Sequence, residues 1–365
     1  MPCSTGKSKT HRTVELRCSI LIAIILLAAC SSDQKPAYLD QIPGFDRFDY
    51  KPVQEESLNE RRITVYPSLW GPDSANAEYF TGTPFWIETV DDEIWIADPT
   101  RGIVTAFTKE GEYYGTVAEK GDGPGEVQQP ASIHHIKTAD KNFSWILDSG
   151  LRSLIHYSTA GTELKRVHQK QMLIEFYNNR VTSLPGNLLL FPIMNHEQHV
   201  LAAVDFSGEM MGTFVNRIVP AGFQPVTHNR VFFDSDKDTG RLIYAHHGLP
   251  LIFLKDPDGS DRRVYNFKPG TALEDFNTGL TPRPANERVS VNSVTRDLFL
   301  DNNRVMFRIF NDVVIFDLET EQVDSVLQLM NGENEPLIIQ QMFFSGGTLY
   351  FVNRFTNEIY ILNDF

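Results

Sequence analysis

Cysteine is scarce in this sequence, and none of it lies beyond residue 30. Cys3, Cys18 and Cys30 are the only cysteines among 365 residues. The remainder of the chain therefore cannot form an internal disulfide, a thiolate metal site or a cysteine nucleophile.

Long apolar runs are also missing. The apolar run at residues 18–29 covers about twelve residues, whereas a helix that spans a membrane needs roughly twenty. It follows a basic leader that contains Lys7, Lys9, Arg12 and Arg17. A short apolar run behind basic residues indicates an N-terminal processing segment, which takes no part in the fold.

The apolar run ends in Leu27-Ala28-Ala29-Cys30. In this position the four residues resemble the lipobox of bacterial lipoproteins, in which the cysteine is acylated and becomes the first residue of the mature chain. The resemblance implies a signal peptide at residues 1–29 and a lipid at Cys30 that anchors the protein stably in the bacterial cell envelope. Ser31, rather than an Asp, favours the outer membrane. The alternative is an ordinary secretory signal that happens to end at a cysteine.

Basic residues are too few to balance the acids. The formal net charge is −14, and removal of residues 1–29, with four basic residues and one acid, moves it to −17. Because no stretch of the mature chain is rich in Lys or Arg, nucleic acid is not an expected partner. Residues 30–60 are polar and contain several prolines, so we interpret them as a tether that leads to one domain at residues 61–365.

The sequence does contain a repeat of fifty residues. Each copy consists of short apolar runs separated by polar or glycine-containing turns, which is typical of an antiparallel meander. A shift of fifty residues needs no gap, and Trp95, Asp98, Phe107 and Gly111 then fall on Trp145, Asp148, Tyr157 and Gly161.

Looser copies of the unit follow, and six can be counted. Four-stranded units of this length predict an all-β fold, a six-bladed β-propeller with antiparallel blades. The last unit has only three strands, whereas residues 61–70 form an unassigned strand. We therefore expect this N-terminal strand to close the last blade as its outermost strand. The residues that occupy the same place in the six repeat units are Trp95, Trp145, Leu189, Ile243, Met306 and Tyr350.

Two segments resemble known propellers. Residues 94–107 look like an NHL repeat, and the sequence GDGPGE at residues 121–126 resembles the GxGPGE stretch of six-bladed propeller lipoproteins of bacteria. The resemblance implies a lipid-anchored NHL-like propeller. GDGPGE lacks the Lys-Ser/Thr of a phosphate loop and precedes a strand rather than a helix, so we interpret it as a crossover between blades.

Three residues are candidates for a site in the central channel. Glu88 lies on the predicted innermost strand of blade 1, and His134 and His135 lie on that of blade 2, so one of the two histidines should face the channel. Propeller hydrolases and lactonases collect acidic and amide residues around a channel cation, and a Glu and a His could hold a divalent cation in this way. The alternative is a hydrogen-bonded channel lining.

Two arginines are candidates for a site on one face of the ring. Arg101 follows Asp98, and Arg152 follows Asp148, at the same place in consecutive repeats. Such an arrangement could bind a ligand. A residue repeated in several blades more often serves the backbone N–H groups of its own turn, and we favour that structural role for the two aspartates.

Other patterns are incomplete. Residues 234–240 have the acidic spacing of a calcium loop, but the glycine comes one position late and Ala245 is not an acid, so a solvated turn is expected. His246 and His247 have no partners at metal-ligand spacing. No Gly-x-Ser-x-Gly elbow or Ser-His-Asp set is recognisable.

Two functions remain open from the sequence. The first is a binding or scaffold module for a protein, peptide or glycan ligand. The second is a lactonase-like hydrolase or lyase with a divalent cation in the channel. Because no catalytic set is recognisable, we favour binding, and whether the protein is an enzyme stays undecided.

Overall fold

The computed structural model describes residues 39–40, 42–71, 84–168, 180–193, 196–219, 223–224, 226–258, 262–267, 283–284, 286, 295–363 and 365. Six β-sheets within them form the blades of a propeller, each with its first strand innermost. The prediction of an all-β six-bladed propeller is confirmed. A separate two-stranded sheet lies outside the blades.

The strands are numbered along the chain. The N-terminal segment contains β1 (Asp49–Pro52), a short helix α1 (Glu55–Glu60), β2 (Arg62–Val65) and β3 (Ser68–Trp70). Blade 1 contains β4 (Trp86–Val90), β5 (Glu93–Asp98), β6 (Ile103–Thr108), β7 (Tyr113–Lys120) and β8 (Glu126–Val127). Blade 2 contains β9 (Pro130–Lys137), β10 (Asn142–Asp148), β11 (Ser153–Ser158) and β12 (Glu163–His168). Blade 3 contains β13 (Thr182–Leu184), β14 (Leu188–Pro192), β15 (His199–Asp205) and β16 (Met210–Asn216).

The second half of the chain supplies the other blades. Blade 4 contains β18 (Val231–Ser235), β19 (Leu242–His246), β20 (Leu251–Lys255) and β21 (Arg262–Asn266). Blade 5 contains β23 (Thr295–Asp301), β24 (Arg304–Ile309), β25 (Asp312–Asp317) and β26 (Gln322–Leu329). Blade 6 contains β27 (Ile339–Ser345), β28 (Thr348–Asn353) and β29 (Ile359–Leu362). The small sheet pairs β17 (Phe223–Gln224) with β22 (Arg283–Pro284), and two 3-10 helices span Phe45–Arg47 and Val226–Asn229.

Burial follows the position of a strand within its blade. The second strands are buried along almost their whole length, because neighbouring blades cover both faces of each sheet; Trp95 and Trp145 are both almost fully buried. The outer strand β7 instead alternates between partly buried and exposed residues along most of its length. The core is therefore a set of apolar layers between blades, each stabilised by the removal of apolar surface from water.

The predicted closure of the ring is confirmed for three residues. β3 pairs with β29 and forms the outermost strand of blade 6, with Leu69 opposite Tyr360. The strand predicted at residues 61–70 is, however, divided in two. β2 pairs in parallel with β26 and extends blade 5, and Pro67, which has no backbone N–H to donate, lies between the two strands.

The predicted tether at residues 30–60 needs a correction for its described part. Leu39, Ile42 and Phe45 are buried in the same apolar cluster as residues of blades 3 and 4. β1 pairs in parallel with β21 as a fifth strand of blade 4. Aromatic and aliphatic side chains within the polar stretch therefore dock this segment on the propeller. Among the described residues, no helix is long and apolar enough to cross a membrane.

Candidate functional site

The strand register defines a layer of side chains around the central channel. The six equivalent positions identified in the sequence all lie on the second strands of their blades, and each pairs with one residue on the innermost strand. These six partners, the channel ring, come from blades 1 to 6 in order. They are Glu88, His134, Ser183, Asp234, Phe299 and Phe343. Four blades thus contribute polar side chains and two contribute aromatic ones.

Glu88 is an unusual carboxyl group within this ring. The indole N–H of Trp86 donates to its Oε2 at 3.2 Å. Burial raises the pKa of the Glu88 carboxyl to about 7, against the opposing effects of Trp86, Arg180 and the backbone N–H of His135. Near neutral pH this carboxyl group can therefore donate or accept a proton.

The structure separates the two candidate histidines. His134 lies in the channel ring, where its Nε2 is 3.1 Å from the Ser183 hydroxyl of the next blade, and burial lowers its pKa to about 3. His135 contacts Ser144 on its own blade and lies 4.0 Å from the carboxylate of Asp91. Only His134 shares the channel with Glu88.

Arg180 lies at the centre of the channel, although the sequence analysis did not select it. It precedes β13 of blade 3, and its guanidinium reaches Asp234 of blade 4 at 2.8 Å and the carbonyl of Leu298 of blade 5 at 2.8 Å. The same guanidinium lies over the rings of Phe299 at 4.6 Å and Trp86 at 5.6 Å. Contacts with blades 1, 4 and 5 place this side chain across the axis of the ring.

Asp234 holds Arg180 in place through a saturated set of hydrogen bonds. Its carboxylate accepts from the hydroxyl of Thr182 and from the backbone N–H groups of Ser235 and Leu300. Burial raises the pKa of Asp234, and the nearby Arg180 acts in the opposite direction. The pair is neutral overall. Each buried charge lies beside the opposite charge, and their attraction offsets the cost of removing both from water.

An apolar pocket opens where the innermost strands begin, and Arg180 forms part of its wall. Its empty space is about 460 Å³, including the part open to solvent. The Nε of Arg180 and the Oε1 of Gln341 are buried and have no hydrogen-bond partner among the residues that the structure describes. We call this the axial pocket, and its lining is Phe85, Trp86, Ala131, Arg180, Val231, Phe232, Phe233, Asp297, Leu298, Phe299, Gln341, Met342 and Phe343.

Asp297 enters the axial pocket through a bulge in β23. Its φ of 48° lies in the left-handed region, and the pairing with β24 shifts at this residue. Its carboxylate accepts from the Arg308 guanidinium and from the backbone N–H of Met342. Arg308 also donates to the carbonyls of Ile339 and Gln340, so this pair fastens blade 5 to blade 6. Both charged residues of the pocket wall are therefore neutralised.

The two candidate arginines are not brought to the channel. The Asp98 carboxylate accepts from the backbone N–H groups of Thr100 and Arg101 within its own turn. Asp148 accepts from Leu151 and also from Gln128 and Gln129 of the preceding crossover. The repeated aspartates thus stabilise turns, as the sequence analysis favoured. Arg101 and Arg152 are exposed on these turns.

The glycine-rich segment at residues 121–126 is a crossover between blades, as predicted. Gly125 has a φ of 78°, and a Cβ on Gly121 would lie 1.9 Å from the Glu126 carboxylate. Arg166 of blade 2 donates to the carbonyls of Gly123 and Glu126, and the Glu163 carboxylate accepts from the N–H of Gly125. These contacts hold the loop in place, and the close approach of Glu126 leaves no room for a side chain at Gly121.

The remaining candidates have structural roles. Asp236 accepts from the backbone N–H groups of Asp238 and Thr239, so residues 236–240 form a turn. The first two residues of the expected turn, Asp234 and Ser235, are instead buried at the end of β18. His246 is buried, and its Nδ1 lies 3.1 Å from the carbonyl of His228. Among the residues that the structure describes, no three His, Cys, Asp or Glu side chains lie close enough together to hold a metal ion.

Sequence comparison assigns the propeller to a family. Residues 76–283 match the family described as "6-bladed beta-propeller", DUF5128. The chain belongs to this family. The match covers all of blades 1 to 3 and the four strands of blade 4. A search of curated proteins finds no significant match.

Solved structures share the fold of this family member. A protein of Bacteroides fragilis NCTC 9343 described as exported has 10% identity and a TM-score of 0.53, covering 87% of this chain and 99% of that one. A member of the duf4221 family from Bacteroides vulgatus has 11% identity and a TM-score of 0.51, covering 84% and 93%. At identities this low, the likeness shows the fold alone.

Part of the channel ring that the sequence analysis did not select could have been found from the sequence. The repeat identifies the second strand of every blade, so the opposing residues of the innermost strands follow from antiparallel pairing. This step would have added Ser183, Asp234, Phe299 and Phe343 to Glu88 and His134. Arg180 and Asp297 have no comparable signal, because one lies before its strand and the other lies at a bulge.

Proposed function

We propose that this member of the 6-bladed beta-propeller family is a binding module of the bacterial cell envelope, and that the axial pocket receives its ligand. The ligand is an exposed apolar or aromatic group of a protein, peptide or glycan. The propeller acts as a rigid scaffold, and the loops around the pocket contact the rest of the partner. The observation that carries the proposal is the aromatic pocket with Arg180 set into its wall.

The composition of the axial pocket supports a ligand whose inserted group is uncharged. Trp86, Phe232 and Phe343 offer aromatic surface, whereas Arg180 and Asp297 are already paired with Asp234 and Arg308. A charged group would enter without a free counter-ion and would lose its hydration. An apolar side chain of the size of Phe gains about 1.5–3 kcal/mol when it is fully buried, which is roughly ten- to hundredfold in affinity.

Blocking the pocket tests this proposal. Ala131 is a buried residue of the pocket wall, so Ala131→Leu should narrow the space without adding charge. The mature chain without lipid is applied to a peptide array and a glycan array, and the variant should lose the ligands that the native chain binds. Tyr114→Leu, on the exposed outer strand β7, is the control and should bind normally. Equal binding by Ala131→Leu, or no ligand on either array, would contradict the proposal.

The envelope location rests on the N-terminal sequence. The basic leader, the apolar run and Leu27-Ala28-Ala29-Cys30 support cleavage before Cys30 and acylation of its thiol. The expected anchor is in the outer membrane. Mass spectrometry of the mature protein should find a lipidated N-terminal peptide, and Cys30→Ser should release the chain from the membrane fraction. A native chain without acyl groups would overturn the anchor.

The second candidate is a hydrolase or lyase with a divalent cation in the channel. Glu88 favours it, because a buried carboxyl group with a pKa of about 7 suits proton transfer near neutral pH. The melting temperature of the mature chain is measured with Ca²⁺, Mg²⁺ or Zn²⁺. A cation that binds the folded chain raises this temperature. If a cation raises the melting temperature of the native chain but not that of Glu88→Gln or His134→Ala, the enzyme is favoured. A binding module without catalytic activity does not require a rise in melting temperature.

A further inference from the structure

The length of chain between Cys30 and the propeller limits where the anchor can lie. Leu39 is fully buried, and only the eight residues from Ser31 to Tyr38 separate it from Cys30. At about 3.3–3.6 Å per residue, the fully extended segment reaches roughly 30 Å. A domain of this size is roughly 50 Å across. The lipid therefore cannot reach every part of the ring.

The N-terminal residues dock at one sector of the rim. Asn216, at the end of the outermost strand of blade 3, donates to the carbonyl of Pro43. Phe45 packs edge-on against Phe253 of blade 4 with ring centroids 6.3 Å apart, and Phe48 packs against the same ring at 5.2 Å. β1 then continues along β21 of blade 4. The first described residues of the chain therefore lie against blades 3 and 4.

Exposed apolar side chains are present on this sector. Met210 and Met211 lie on β16, the outermost strand of blade 3, and Met211 is 55% exposed. Unbranched thioether side chains adapt to irregular apolar surroundings. Asn216, which contacts the docked segment, lies on the same strand. The two methionines therefore lie on the same outermost strand as the docking contact, at its opposite end.

Basic side chains on blade 4 lie close to one another. Lys255 and Arg262 are cross-strand partners, and burial together with Arg262 and Arg47 lowers the pKa of Lys255. None of the three forms an ion pair with another described residue, whereas the neighbouring Lys51 is paired with Asp49 and Glu321. A cluster of uncompensated cations is attracted to anionic headgroups, even on a protein that is acidic overall.

We infer that blades 3 and 4 form the membrane-facing rim of the propeller and rest on anionic phospholipid headgroups, with blade 6 directed away from the bilayer. This inference depends on the proposed lipid at Cys30. The short connection holds the rim close to the membrane, Met210 and Met211 contact the interface, and Arg47, Lys255 and Arg262 contact the headgroups. The ring then stands on its edge, so the axial pocket opens along the membrane surface instead of into it.

The absence of other cysteines in the mature chain allows a clean test. Met211→Cys on blade 3 and Leu69→Cys on blade 6 place one thiol on the outermost strands of opposite blades, and Leu69 is 62% exposed. Each lipidated protein is labelled with a fluorophore and reconstituted into vesicles of phosphatidylcholine and phosphatidylglycerol that contain headgroup-nitroxide lipid. Quenching should be several-fold stronger at position 211 than at position 69.

The possible outcomes separate the orientation from the anchor. Flotation of the protein with the vesicles and equal quenching at the two positions would overturn the inferred orientation but leave the anchor intact. Failure of the protein to float would overturn the anchor, and the orientation with it. The variant Arg47→Glu/Lys255→Glu should reduce the difference between the two labels. The matched change Lys120→Glu/Arg354→Glu, on exposed residues of blades 1 and 6, should leave it unchanged. An unchanged difference in Arg47→Glu/Lys255→Glu would contradict the headgroup contact.

Discussion

The two halves of the ring are completed in different ways. Blades 1, 2 and 3 are built from consecutive strands between residues 86 and 216, and the extra strand β8 of blade 1 comes from the adjoining crossover. Blades 4, 5 and 6 each receive one outer strand from the N-terminal segment at residues 42–70: β1, β2 and β3 in that order. This segment therefore follows the rim of half the propeller.

The difference shows that a polar, proline-containing stretch can be a structural part of a fold. In the first half, each blade is made of local pairs. In the second half, Asp49 pairs with Arg263, Arg62 pairs with Val326, and Leu69 pairs with Tyr360. The second half should therefore respond to changes near the N-terminus that leave the first half intact.

The largest effect is expected from removal of the start of the N-terminal segment. A chain that begins at Val53 lacks β1 and the buried side chains of Leu39, Ile42 and Phe45. At about 2–5 kcal/mol for each large apolar side chain lost, its free energy of unfolding should fall by at least about 6 kcal/mol relative to a chain that begins at Leu39. Urea denaturation measures the difference.

Hydrogen exchange locates the same effect. In the shortened chain, the amides of β21 in blade 4 should exchange faster, whereas those of β12 in blade 2 should keep their protection. A chain that begins at Cys30 without lipid is the control, and its urea midpoint should match that of the chain beginning at Leu39. Equal midpoints for the chains that begin at Leu39 and Val53 would show that the segment is only a tether.

The second largest effect is expected at the seam between blades 5 and 6. Arg308→Met leaves Asp297 buried without its cation, which should cost about 3–5 kcal/mol of unfolding free energy. The matched variant Arg304→Met, on the same strand, breaks an exposed pair with Asp301 and should cost less than about 1 kcal/mol. Thermal and urea unfolding test both. Similar losses would mean that the buried pair does not fasten the seam.

A pH-dependent effect of intermediate size is expected in blade 1. The pKa of Glu88 is about 7 in the folded chain, against an ordinary 4.5, so its favourable contribution is complete at low pH and is lost as the pH rises through 7. Glu88→Gln removes this dependence. Relative to the native chain, the variant should gain about 2–3 kcal/mol between about pH 5 and about pH 8. A constant difference in urea midpoints across this range would contradict the raised pKa.

The repeated turns of the first half include the smallest expected effect, that of Asp98→Ala. Asp148→Ala removes an acceptor for three backbone N–H groups, two of them in the preceding crossover, and should cost about 2–3 kcal/mol. Asp98→Ala loses two N–H groups of its own turn and should cost about 1 kcal/mol. If urea denaturation gave the reverse order, the contact with the crossover would contribute nothing.

Sequence reasoning predicted the part of the fold that depends on repetition. Trp95 and Trp145 recur because every blade buries its second strand, so the number of blades and the ring closure could be inferred. The division of residues 61–70 between blades 5 and 6 could not be inferred from the sequence. It depends on the distance between two sheet edges, and Pro67 permits a break without requiring one.

The candidate site was less predictable, for a physical reason. Glu88 and His134 occupy regular positions on innermost strands, so their types and places were sufficient to select them. Arg180 acts through contacts with three other blades, and Asp297 points into the pocket only because β23 bulges. Neither long-range contacts nor a local change of register leaves a pattern in a single sequence.

The pairing of the first strands with late ones also governs the order of assembly. β1, β2 and β3 are synthesised early, but their partners follow only after more than two hundred further residues. Contacts between such distant residues form slowly, and strand edges that wait for partners can pair wrongly with other chains. The ring cannot close until the ribosome has made almost the entire polypeptide.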